Sequence, residues 1–359
     1  MGVRFTRGRW EKIREDARRW WAGELKRPLI QMTLSGRDPG RPAPVLPPVP
    51  KTAYYDFDIP AADVVDRWDY DLSGVRFLGD AFPSAWPNFG PGVLAAFLGA
   101  KTEIGADTVW FIAPEDRPVS EVDLRFDPHN AWFKRVRDIC RTALERWEGL
   151  VQVSMTDLGG NLDILSAFRP GEKLLLDLYD DPDGVRRLTW RAHEMWWRCY
   201  DEINAVLQPG NPGYTAWTPI YSEAPYYILQ CDFCYMIGPG MFDEFVKPEL
   251  VASCRRLANA FYHLDGPGQL PHLDSLLRIE ELKGVQWVPG AGQPDVTCWP
   301  EVYRKIRDAG KRIQFRGTPE TFETVVDQLG SAEGLVFMCS ASVEDEAEAM
   351  AFLKKYRAA

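Results

Sequence analysis

The segment His263-Leu264-Asp265-Gly266 sets an imidazole and a carboxylate two residues apart, at the end of a run that reads as a strand. In an extended chain residues i and i+2 point to the same side, so both groups can converge on one point. That is metal-ligand geometry. Cys339 ends the last strand-like run and would add a third donor if the sheet closes on itself. A nitrogen, oxygen and sulfur set suits an open zinc site. The same residues also fit a histidine bonded to a neighbour, an aspartate capping a helix and a cysteine packed as a small hydrophobe.

Other candidates share this position just past a strand. Asp232 lies inside a C-x-x-C formed by Cys231 and Cys234. A solitary pair lacks the second half of a zinc ribbon, so Asp232, which alternates away from Cys231, is the expected functional residue. Arg37 and Arg316 suit bidentate binding of a substrate carboxylate or phosphate. Asp80 ends another run. The chain holds 14 Trp, 13 Tyr and 18 Phe. Several fall in presumed loops beside the site, and Trp86, Tyr235 and Trp287 are the ones expected to touch substrate. Trp190, Trp196, Trp197 and Tyr200, at helical spacing, read instead as packing. No G-x-S-x-G elbow, H-E-x-x-H or P-loop occurs.

The elements that must hold these groups alternate. Short β-rich runs span Leu29 to Leu34, Val75 to Gly79, Val151 to Met155, Tyr227 to Cys231, Ala260 to Leu264, Val285 to Val288, Arg312 to Phe315 and Leu335 to Met338. Between them lie helical patterns near Ala131 to Trp147, Pro182 to Val206, Pro239 to Ala260, Pro300 to Ala309, Pro319 to Leu329 and Val343 to Tyr356. Several open on proline, which costs nothing in a first turn. Strands alternating with helices predict an α/β fold with a parallel sheet, and eight of them predict a (β/α)8 TIM barrel of one domain, residues 1–359. An amphipathic N-terminal helix, Trp10 to Leu25, precedes it. Long surface insertions interrupt it, such as Asp38 to Pro50 with its six prolines. Barrel sites form at the carboxyl ends of the strands, where the residues named above fall.

Composition bounds the function. The chain has 359 residues, with 42 Lys and Arg against 52 Asp and Glu, for a net charge of −10. That sign disfavours a nucleic-acid partner. Seven irregularly spaced cysteines indicate free thiols in a reducing compartment, so the cytoplasm is expected. No apolar run is long enough for a bilayer, so no membrane partner is expected.

The stretch from Cys231 to Pro248, CDFCYMIGPGMFDEFVKP, is similar to the D-F-x-Y-M-I-S-P-x-x-F-x-x-F-x-x-P segment of the superfamily of uroporphyrinogen decarboxylases and corrinoid-dependent methyltransferases. The segments Lys173 to Pro182, Phe261 to Gly266 and Leu335 to Ser340 extend the resemblance over most of the chain. It implies a (β/α)8 barrel. The decarboxylases carry an R-x-x-G-R-like segment after the first strand, an aspartate after the second and a histidine after the eighth. Here Arg37 and Asp80 match, but Thr33 replaces the first arginine and Cys339 the histidine. The methyltransferases hold zinc with H-x-C and a late cysteine, which His263 and Cys339 match, while Asp265 replaces the middle cysteine. An oxygen donor leaves zinc more Lewis acidic than a thiolate does, so the substrate need not be a thiol.

The resemblance therefore implies a metal-dependent methyltransferase acting with a corrinoid (cobalamin) carried by a separate protein. Zinc is expected on His263, Asp265 and Cys339, with Asp80 and Asp232 orienting a small-molecule substrate or moving a proton. A homodimer is the implied assembly. The alternatives are a carboxy-lyase acting on a carboxylated ring compound and a non-catalytic barrel that binds a small ligand.

Overall fold

The structure, a computed structural model, describes residues 2–359. Its centre is a mixed α/β arrangement built on a parallel sheet. The strands are β1 (Leu29–Ser35), β2 (Arg76–Gly79), β3 (Ser84–Ala85), β4 (Lys101–Ile104), β5 (Val109–Ile112), β6 (Gln152–Val153), β7 (Tyr226–Leu229), β8 (Asn259–Asp265), β9 (Leu282–Val288), β10 (Arg312–Arg316) and β11 (Leu335–Ser342). Seven of them pair in the order β2-β1-β11-β10-β9-β8-β7. Separately, β3 pairs with β6 in parallel. Hydrogen-bonded ladders join neither β1 to β3 nor β6 to β7 among the described residues, so the paired strands do not form a continuous ring.

One predicted strand has a different role. The run ending at Gly79 forms β2, but it returns antiparallel along β1. The parallel strand that follows it is only two residues long, Ser84–Ala85, and pairs with β6. Lys101–Ile104 and Val109–Ile112 form an antiparallel hairpin, β4 with β5.

Helices flank the sheet where their caps and apolar stripes dictate. Asn130 accepts the N–H groups of Trp132 and Phe133 to open Ala131–Trp147, and Thr318 accepts from Thr321 to open Pro319–Leu329. In Pro182–Leu207, Trp196 and Tyr200 pack on Tyr227 of β7, with ring centroids 4.8 and 6.1 Å away. The helix expected over Pro239 to Ala260 is broken into Pro239–Met241, a wide π turn Phe242–Val246 and Lys247–Arg256. Pro248 has no N–H to return to the preceding turn, which widens there.

The N-terminal helix, Arg7–Trp21, lies across the amino ends of the strands. Trp20 and Trp21 pack on Phe261 of β8, with centroids 6.3 and 5.7 Å apart. The Arg312 guanidinium donates to the Trp20 carbonyl at 2.8 Å and lies over the Trp20 ring. Among the described residues no helix is long and apolar enough to cross a membrane.

Candidate metal centre

His263 and Asp265 occupy alternate positions of β8, two and four residues beyond Phe261, and so share its face of the strand. Asp232 starts the 3₁₀ turn Asp232–Met236 just after β7. Its backbone is fixed from below: the Asp163 carboxylate accepts the N–H groups of Asp232 at 3.0 Å, Phe233 at 2.7 Å and Gly160 at 3.2 Å. One donor atom from each of Asp232, His263 and Asp265 lies within 4.8 Å of the other two. His263 Nε2 is 3.9 Å from Asp265 Oδ2. Donors around a tetrahedral ion bonded at about 2.0–2.1 Å stand about 3.3 Å apart, so small side-chain movements would bring this set to bonding distance.

A buried polar chain orients the imidazole. Gln286, paired with His263 across the β8–β9 ladder, donates its Nε2 to Gln314 Oε1 at 3.0 Å. Thr218 Oγ1 donates to the same oxygen at 3.0 Å. The Gln286 Oε1 is therefore left to accept, and it lies 2.5 Å from His263 Nδ1. The network assigns the proton to Nδ1 and leaves the Nε2 lone pair facing the carboxylates. The Trp217 ring stands edge-on to the imidazole, 5.0 Å between centroids.

The electrostatics favour a cation at this point. Asp232 is exposed as a residue, yet burial of its carboxyl, then repulsion from Asp163, Asp265 and Asp157, pushes its pKa up to about 8. Burial holds His263 below the usual imidazole value despite the pull of Asp265. A positive ion here would let the carboxylates ionise while the ring stays neutral. Two carboxylate oxygens and an imidazole nitrogen suit zinc or a harder divalent metal, and the donor set contains no thiolate.

Cys339 stays outside the set. It pairs with Met32 in the β1–β11 register, and Met32 faces Pro319 and Phe352 in the helical layer. Its neighbours Met338 and Ser340 take the opposite face, where Met338 Sδ accepts from Gln314 and Ser340 Oγ meets Thr33 Oγ1. Cys339 borders a cavity there, but its thiol is buried and its pKa is pushed up to about 12 by that burial.

Asp80 is also elsewhere. Because β2 runs backwards, its end brings Asp80 to Ile30, at the amino end of β1. There Asp80 accepts the Ile30 N–H at 2.8 Å and both Arg27 nitrogens at 2.7 and 2.8 Å. Trp287 alternates with Gln286 to the helical side and packs on Trp299, 5.2 Å between centroids. Arg37 shares a surface groove with Arg4, Arg9 and Arg76. Trp86 follows β3, half-buried. Tyr235 lies against Gly268, where a Cβ would come within 2.5 Å of its ring, so its ring stands next to the end of β8.

Two cavities open nearby, one bordered by Arg316 and the other by Asp232 of the cluster. One, about 450 Å³, is lined by Gln31, Thr33, Phe82, Pro219, Arg316 and Ser340. The other, about 510 Å³, lies under the β4–β5 hairpin and is bordered by Trp110, Phe111, Gln230, Asp232, Phe233 and Met236. Gln286, Gln314 and Asp163, which position the donors, belong to no motif in the sequence.

No protein-family model matches the chain. No curated protein matches it significantly. Among solved structures, a methyltransferase from Methanosarcina mazei is similar in fold, with a TM-score of 0.63 at 12% identity over 96% of this chain and 99% of that one. At that identity the likeness shows a shared fold.

Proposed function

We propose that this chain is a metal-dependent methyltransferase of the uroporphyrinogen decarboxylase and corrinoid methyltransferase superfamily, built as a (β/α)8 barrel. It would transfer a methyl group between a small substrate and a corrinoid carried by a separate protein. The observation that carries the reading is the convergence of Asp232, His263 and Asp265 around one point, with Gln286 fixing the ring. The resemblance of the Cys231 to Pro248 segment and the shared fold with the Methanosarcina mazei methyltransferase support it.

In this reading Asp232, His263 and Asp265 hold a divalent metal, with zinc the first candidate, and Cys339 takes no part. When bound, the metal would act as a Lewis acid on an oxygen or nitrogen of the substrate. The chain's own groups do the rest. Gln286 presents the Nε2 lone pair, Asp163 sets the Asp232 backbone, and Trp217 walls off one side of the ring. The decarboxylase alternative loses its acid, because Asp80 is engaged by Arg27 at the far end of β1.

Elemental analysis of metal-replete protein tests the reading. About one zinc per chain is expected in the wild type and in Cys339→Ser, and little in His263→Ala or Asp265→Ala. A wild type that takes up no divalent metal would remove the proposal. Methyl transfer from a methylated corrinoid to candidate acceptors, lost in the same two variants, tests the chemistry.

A further inference from the structure

We propose that the cavity beside the cluster is a subsite for a small carboxylate bearing an adjacent N–H or O–H group, with Arg316 pairing the carboxylate and Gln31 accepting the donor. This rests on the reading of Asp232, His263 and Asp265 as the reacting centre.

Gln314 pairs with Gln286, which pairs with His263. Arg316 follows Gln314 by two residues, as Asp265 follows His263, so both point to the same face at the carboxyl ends of their strands. Two strand spacings separate them, about 10 Å between backbones. An arginine side chain spans much of that gap, leaving room for a molecule of a few heavy atoms. The Arg316 charge is near enough to act on His263.

Among the described residues Arg316 has no carboxylate partner, and no acidic side chain lines the cavity. Arg316 is exposed as a residue at the end of β10, yet the protein around its guanidinium lowers its basicity, with no anion among the described residues to offset it. Such a cation gains by binding an oxyanion, and its planar fork matches a carboxylate. The cavity has one unmatched positive charge, which balances a carboxylate and leaves a phosphate dianion half compensated. Gln31 supplies the second, independent mark. It is only 6% exposed, and its Nε2 donates to the Pro219 carbonyl at 2.5 Å. Its Oε1 is buried with no partner among the described residues. A buried acceptor left unpaired has lost its water without a replacement, so a ligand N–H or O–H placed there is favoured. The Thr33 and Ser340 hydroxyls, 2.9 Å apart, complete a polar wall.

The test is calorimetric titration of metal-stripped and zinc-loaded protein with glycolate, acetate, inorganic phosphate and methanol, with metal content measured in each sample. Glycolate should bind the metal-stripped wild type more tightly than acetate, and methanol should not bind. Arg316→Gln should weaken glycolate at least tenfold. Gln31→Leu should bring glycolate down to the level of acetate. Unchanged melting temperatures would show both variants folded. The proposal is overturned if neither carboxylate binds, if Arg316→Gln binds glycolate like the wild type, or if phosphate binds more tightly than glycolate. Arg316-dependent glycolate binding without zinc uptake would sink the metal reading and leave this one standing. Zinc uptake without carboxylate binding would do the reverse.

Discussion

Gln286 Oε1 sits 2.5 Å from His263 Nδ1, so the direction of the imidazole lone pair is set by an amide on the neighbouring strand rather than by the carboxylates it faces. Outer-shell partners of this kind typically contribute 10–100-fold in metal affinity. Gln286→Leu should therefore weaken zinc by about that factor with the fold intact, as read by competition with a chromophoric chelator. Gln286→Glu keeps an acceptor for Nδ1 and should stay near or above the wild-type affinity. Equal loss in both variants would show that Gln286 acts only by packing.

The Arg27–Asp80 pair is structural. Both side chains are nearly sequestered, and Arg27 retains the Asp16 carboxylate and the Pro28 carbonyl, each at 2.7 Å, if Asp80 is neutralised. Removing one partner of a buried pair costs about 3–5 kcal/mol, and the remaining Asp16 places Asp80→Asn near the lower end. Denaturant unfolding should show that loss while zinc stoichiometry holds. A variant of unchanged stability that loses methyl transfer would return Asp80 to the chemistry.

Asp157 gives stability a pH dependence. Burial pushes its pKa up to about 7, against the backbone N–H groups of Gly159 and Gly92 that favour its ionised form. An acid whose folded pKa is raised takes up protons on folding. Its cost is absent below the ordinary carboxylate range, grows as pH rises from about 4, and levels off above about 7. Asp157→Asn keeps an acceptor for Gly159, so its stability relative to wild type should rise by a few kcal/mol between pH 5 and 8. Urea unfolding of metal-stripped protein at several pH values measures this. Parallel curves for the two proteins would rule it out.

Gly284 of β9 leaves space that Phe261 fills. A Cβ at that position would lie 2.2 Å from Phe261 Cζ and 2.7 Å from the Arg312 carbonyl oxygen. The backbone carbonyl cannot give way as a side-chain tip can. Gly284→Ala should cost roughly 3 kcal/mol, toward the upper end for overpacked cores. A thermal unfolding midpoint within a degree of wild type would show the contact to be relieved elsewhere.

Parts of this arrangement were open to reading from residues alone. Asn130 and Thr318 are strong caps ahead of clear apolar stripes, and the helices they open run as the pattern predicts. His263 and Asp265 were legible because a period of two is enough to place them together. Strand direction has no such signature, so the antiparallel return of β2 carried Asp80 to the wrong end. Cys339 failed on parity: its spacing from His263 along the chain does not show which face of β11 it takes. Gln286 and Gln314 look like any polar residue in a strand. Their flanks, Val285 with Trp287 and Ile313 with Phe315, were the only hint that they are enclosed on both sides. Ser84–Ala85 is too short to show any period.

The tryptophans of the first helix close the structure beneath Phe261, on the side away from the Asp232, His263 and Asp265 donors. With those rings packed beneath Phe261, the donors at the end of β8 are approached from the carboxyl ends of the strands. In the proposed reaction a small reactant and a bulky corrinoid carrier would approach the donors from that same side. On that proposal, a reactant seated before the carrier docks would meet no obstruction.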